Sequence, residues 1–211
     1  MGSSIIARAE HKLYIDIRRR RLKNKNPSII SSNCNGAIIL HDLGLRFNSP
    51  TVNLYFEPED YLRFASEPQK YLSSVPEEVE SGESFPVGRI CDITAYFMHF
   101  TSFDEAKQKW MERSRRVNPE NAFYIMTDKN GCTYEHIKQF DALPLRHKVI
   151  FTHKPYPEFK SVCYIKGFEN DGEVGVLSDW KPGFLKRRLL DDFDSVAFLN
   201  GEIYNFEDRE E

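Results

Sequence analysis

The chain has 211 residues, of which 40% are hydrophobic and 29% charged, with a formal net charge of −3. Such a composition builds a core, so it excludes a disordered chain and a low-complexity tail. Acids outnumber bases by 32 to 29, and a protein that grips duplex phosphates needs a basic excess, so no nucleic-acid partner is expected.

In chain order, Ile5, Ile6, Ala9, Leu13 and Ile17 recur at mostly four-residue steps and share one helical face. Residues 1–26 are therefore read as an N-terminal helix with a basic end, with the apolar face docked on the body. The run Arg18, Arg19, Arg20, Arg21 sits in the last turns, where cations suit the helix dipole. It is either a solvated end or a patch for membrane headgroups, acidic glycan or phosphate. No stretch approaches the about 18–20 uninterrupted apolar residues of a membrane span, and the start is too short and too charged for a signal peptide. Cys34, Cys91, Cys132 and Cys163 are scattered, with no C-x-x-C pair, and read as reduced thiols. A cytoplasmic protein is expected.

Residues 27–211 read as one α/β domain. Ser28–Ser32 is a short strand, Asn33–Gly36 a turn, Ala37–Leu43 a helix and Thr51–Phe56 a second strand. Pro58 beside acids opens the next helix. The acidic stretch 76–88 reads as a mobile loop, and Arg89–Met98 as a strand with Asp92 buried in a salt bridge. Ser102 and Glu105 form a capping box for a helix with Phe103, Ala106 and Trp110 on its stripe. Ala122–Met126, a helix over about 133–143, and Lys148–Phe151 follow. Asn170-Asp171-Gly172 between Ser161–Ile165 and Glu173–Leu177 signals a hairpin. A helix over Phe184–Phe193 and a frayed acidic end, Glu207–Glu211, close the chain. Setting Gly36 against Gly131 brings His41 onto His136, so 28–56 and 122–151 read as a pseudo-repeat of two similar βαβ units. The expected fold is a three-layer, Rossmann-like α/β domain with a mainly parallel sheet and a β-hairpin region.

In such sheets ligands bind beyond the carboxyl ends of the strands. The residues leaving each strand are therefore the candidates. Asn33 and Gly36 lie between a strand and a helix start, where amides could accept a phosphate, and Lys154 could join them. Asp128 could hold a ribose or sugar hydroxyl, a divalent metal or a reacting proton, and His153 is placed to act as a base. Cys34 is a candidate nucleophile if a helix N-terminus and an imidazole such as His41 stabilise its thiolate. His99 leaves another strand. No Walker loop, no G-x-G-x-x-G and no H-E-x-x-H is present, so no metal site is expected and the cofactor stays open. Trp180 is a candidate stacking surface.

Several ordered blocks carry a family resemblance. They are Ser32–Gly36 with His41–Gly44, Phe47–Leu54, Pro86–Gly88, Tyr96–His99, Met126–Thr133 and Phe151–Tyr156. Over about 27–199 the chain resembles a bacterial domain-of-unknown-function family whose members are often labelled exopolysaccharide-biosynthesis proteins and occasionally acetyltransferases. That family favours S-N-N-C-x-G-G at the first turn; Ser32 and Ala37 stand here where the pattern has Asn and Gly. It supplies no catalytic residues. The resemblance implies a place in surface-glycan assembly: a transferase taking a nucleotide-activated sugar or an acyl donor, or a non-catalytic scaffold of that pathway.

Overall fold

Seven strands and seven helices organise the described residues. The strands are β1 (Ser28–Ser31), β2 (Glu77–Val79), β3 (Val87–Ile90), β4 (Ile93–Tyr96), β5 (Ala122–Thr127), β6 (Lys148–Thr152) and β7 (Val162–Tyr164). The helices are α1 (Gly2–Arg21), α2 (Asn35–Leu43), α3 (Pro58–Ser66), α4 (Pro68–Leu72), α5 (Phe103–Ser114), α6 (Tyr134–Ala142) and α7 (Ser195–Leu199). The computed structural model describes residues 2–181 and 187–202, with side chains from Ala9 onward. The start of the helix expected over Phe184–Phe193 and the acidic end lie outside the described residues; Leu189–Asp192 forms a 3₁₀ turn.

Four strands make one sheet in the order β1-β5-β6-β7, all parallel. Every residue of β5 is buried, as a strand covered on both faces requires. Successive side chains alternate between faces. Ile29 therefore joins Leu40, Phe123 and Phe151 in the core under α2 and α7, while Ile30 joins Phe64, Trp110 and Phe140 under α3, α5 and α6. This is the expected three-layer α/β domain. A second, antiparallel sheet, β2-β3-β4, accompanies it.

The unit β5–α6–β6 forms as the sequence indicates, with Thr133 capping α6. The first unit closes differently. Thr51–Phe56 does not join the parallel sheet, and Tyr55 only bridges to Tyr96. Asn53 has φ +68, which breaks an extended run, and Thr51 Oγ1 accepts from the Ser31 amide at 2.9 Å. That amide is thus met by a side chain, and β5 takes the place beside β1. The hairpin also lies elsewhere. The Arg89–Met98 segment folds back at Cys91 and Asp92, with Cys91 at φ +55, to give β3 and β4. Asp92 is exposed on that turn rather than buried, and it pairs with Lys70 Nζ at 2.8 Å. Part of the 76–88 stretch is ordered as β2. At the Asn170 signal, β7 pairs with β6 instead of with Glu173–Leu177.

Helix α1 turns the described part of the expected face outward, Ile5 and Ile6 lying outside the residues with described side chains. Leu13 is 65% and Ile17 51% exposed, while Ile15, Arg18 and Leu22 are buried. Arg18 donates to Phe193 O at 3.1 Å and Ser195 Oγ at 2.8 Å, and lies 3.6 Å from Asp191. Arg19 donates to Asp42 O and Arg21 to Asp194 Oδ2, each at 2.7 Å; Arg20 is exposed. The basic run is therefore largely engaged with the body. Among the described residues no helix is long and apolar enough to cross a membrane.

Candidate functional site

Parallel register sets the site. Thr127 pairs with Phe151, so the residues leaving β5 and β6 emerge side by side. The Asp128 amide donates to Phe151 O at 3.0 Å. Its carboxylate then meets the next turn of chain. Oδ2 accepts from the His153 amide at 2.7 Å and lies 2.5 Å from His153 Nδ1. Oδ1 accepts from the Val174 amide at 2.8 Å. Asp128 is 2% and His153 8% exposed. A buried carboxylate is tolerable when it is saturated with donors in this way. A carboxylate against Nδ1 fixes the proton there, which leaves Nε2 as the ring's acceptor. Nε2 takes no hydrogen bond from the described residues and is not among their sealed polar atoms.

The hairpin signal that failed to make a hairpin serves this site. Lys129 Nζ donates to Gly175 O at 3.4 Å, and the Asn130 amide donates to Glu173 Oε2 at 2.8 Å. Together with the Val174 amide, these bonds draw 173–175 across the end of β5. Burial, then the charges of Asp60 and Glu173, raise the Glu57 carboxyl above its ordinary range. Burial with the charges of Asp128 and Glu173 pushes the Cys132 thiol up to about 12. Glu173 is thus held beside the Asp128 turn, and Glu57, which leaves the Thr51–Phe56 run, is brought to the sheet edge by the Phe56 amide on Ser32 O at 2.9 Å. A glutamate in a segment that reads as a hairpin strand carries no signal of a contact made across the fold.

The remaining candidates divide. Asn33 belongs to the same edge, since its Nδ2 donates to Thr127 Oγ1 at 2.9 Å. The anion nest expected at Asn33 and Gly36 is already filled. Asn33 Oδ1 accepts from the Asn35 amide at 3.1 Å, and Ser31 Oγ accepts from the Gly36 amide at 3.3 Å. Gly36 serves helix–strand packing. Cys34 precedes α2 beside Asn33, but burial raises its thiol pKa, and its Sγ lies 3.9 Å from Leu54 O. A nucleophile needs the thiolate, which this setting disfavours. His41 does not reach the site: it occupies the last turn of α2, at the far end from Cys34, with its side chain 83% exposed. His99 is exposed beyond the antiparallel sheet, with its amide on Asn53 O at 3.4 Å. Lys154 is exposed next to His153. Trp180 is 45% exposed and meets His11 edge-on at 5.0 Å. Among the described residues, no group of three or more His, Cys, Asp or Glu side chains converges to hold a metal ion.

An open groove of about 340 Å³ lies against Asn24, Asn121 and His147, residues that precede β1, β5 and β6. It therefore sits at the opposite edge of the sheet from Asp128 and His153.

Comparison with known proteins gives two findings. The profile of the family described as Domain of unknown function (DUF1919) matches residues 6–200. A Haemophilus influenzae protein named "Uncharacterized protein" is 46% identical over 182 residues, covering 86% of this chain and 88% of its own length.

Proposed function

The chain belongs to the DUF1919 family, and we propose that this member is a group transferase of bacterial surface-glycan assembly, acting on a carbohydrate hydroxyl. The observation that carries the reading is the buried Asp128–His153 pair at the carboxyl edge of the parallel sheet. His153 Nε2 takes the acceptor's proton as its oxygen attacks the activated donor. Asp128 holds the ring in the tautomer that leaves Nε2 basic, and it stabilises the imidazolium that forms. Both Asp128 oxygens are committed to the chain, so Asp128 is a positioning residue. The donor is a nucleotide-activated sugar or an acyl thioester, and exposed Lys154 beside His153 meets its phosphates. The glycan pathway rests on the family resemblance of the blocks from Ser32 to Tyr156. The cytoplasm, where activated donors are made, is the proposed location.

The test uses the full chain with panels of nucleotide sugars and acyl-CoA thioesters, with and without Mg²⁺. A donor at about 100 times its Kd should raise Tm by about 5–10 °C for a chain of this size. Adding acceptor sugars should release nucleotide or free CoA. His153→Gln should cut that release by about 10²–10⁴-fold while leaving the donor-dependent shift in place. Failure of both donor classes to shift Tm or to turn over would overturn the proposal.

A further inference from the structure

The loops that bring Asp128 and His153 together also carry aromatic rings. Tyr134 opens α6 after the β5 exit and is 50% exposed. Tyr156 and Phe159 follow His153 and rest, half-buried, against the core. The Tyr134 ring centroid lies 5.3 Å from Phe159 and 5.9 Å from Tyr156, and the last two are 6.3 Å apart. Tyr134 Oη donates to Glu158 Oε1 at 3.1 Å, which fixes the outer ring. Tyr156 stands three residues after His153 and Tyr134 opens the helix after the Asp128 turn, so the two loops that carry the buried pair also carry this facet.

Resting on the transferase reading, we propose that Tyr134, backed by Tyr156 and Phe159, is the platform on which the acceptor sugar stacks. A pyranose has an apolar C–H face and a rim of hydroxyls. One exposed ring held rigid from behind suits the face, and a carboxylate at its edge accepts from the rim. Tyr134 and Glu158 supply both. A flat nucleobase is better served by a slot between parallel rings. Here the Tyr134 plane is tilted 56° from Tyr156 and 49° from Phe159, which leaves no such slot.

The experiment is saturation-transfer NMR on the full chain with methyl pyranosides and N-acetylglucosamine, and with uridine and adenosine as the competing class. We expect transfer to the pyranosides, centred on ring C–H protons. Tyr134→Ala should weaken binding about fivefold, whereas Tyr134→Phe should leave it within about twofold. Silence from every pyranoside, pyranoside binding unmoved by Tyr134→Ala, or Tyr134-dependent binding of the nucleosides alone overturns the platform. Tyr134-dependent sugar binding without turnover of any donor sinks the transferase reading and leaves the platform standing. Turnover unchanged in Tyr134→Ala does the reverse.

Discussion

Gly36 sits where α2 is pressed against β1. A Cβ there would lie 2.7 Å from Ser31 Cβ and 2.8 Å from Ile29 Cγ2. Ser31 is sealed and Ile29 is 1% exposed, so neither side chain has room to step aside. Gly36→Ala should therefore destabilise the protein by about 1–3 kcal/mol, seen as a lower urea midpoint at an unchanged m-value. An unchanged midpoint would mean that the helix lifts off the strand at no cost. The same closeness engages the amide of a glycine that reads as a phosphate cradle: it donates to Ser31 Oγ. Cys34 nearby follows the same logic, since burial holds its thiol protonated. At this scale the signals that best survive are Asp128 and His153, whose side chains need each other.

Helix α1 shows how an element's local pattern and its docking can diverge. Leu13 and Ile17 on the helix are exposed, whereas Ile15 and, one residue past its end, Leu22 are buried. The deciding group is Arg18, which finds Asp191, Phe193 O and Ser195 waiting on the far end of the chain. Removing one partner from a buried ionic network leaves the others uncompensated. Arg18→Ala should cost about 3 kcal/mol, whereas Arg20→Ala on the exposed side should stay within about 0.5 kcal/mol, both measured as urea midpoints. Equal effects would place the two arginines in equivalent settings. Elements governed by near neighbours were readable. Ser102 caps α5 through the Glu105 amide, Thr133 caps α6, and β5–α6–β6 follows. Pairings decided at a distance were not. Nothing local says that β1 prefers β5 to Thr51–Phe56, or that the Val174 amide abandons a hairpin for Asp128. The strand-exit rule found Asp128 and His153 because strand order alone brings them together. Glu173 and Tyr156 reach that edge through loops whose paths have no sequence signature.

Across the whole molecule, two histidines sit where the fold resists their charge. His11 on α1 has its pKa lowered by burial and then by the Arg188 charge, against the opposing pull of Asp191 and Asp42, with Arg18 lowering it further. His147, stacked on Phe123 at 4.6 Å, is lowered by burial and by Arg146. Both folded values lie below the ordinary 6.5. As pH falls through that value, the unfolded chain takes up protons that the fold refuses, so acid favours unfolding. The histidine contribution is intact well above 6.5 and is lost progressively as pH falls through that value. Glu57 and Asp60, whose folded pKa values are raised chiefly by burial, act in the opposite sense, from their ordinary 4.5 and 3.8 upward. Thermal unfolding should therefore show Tm dropping between about pH 7 and about pH 5.5, and the double variant His11→Gln, His147→Gln should flatten that slope. A wild-type Tm that rises over this interval would show that other groups, with the opposite sign, govern the acid response. Both histidines serve the same face of the sheet: His11 lies on α1, which seats Leu22 in the core that contains Phe123, and His147 covers Phe123 itself. Acid thus loosens that face first, and proteolysis at about pH 5.5 should cut α1 before it cuts the segments around α5 and α6.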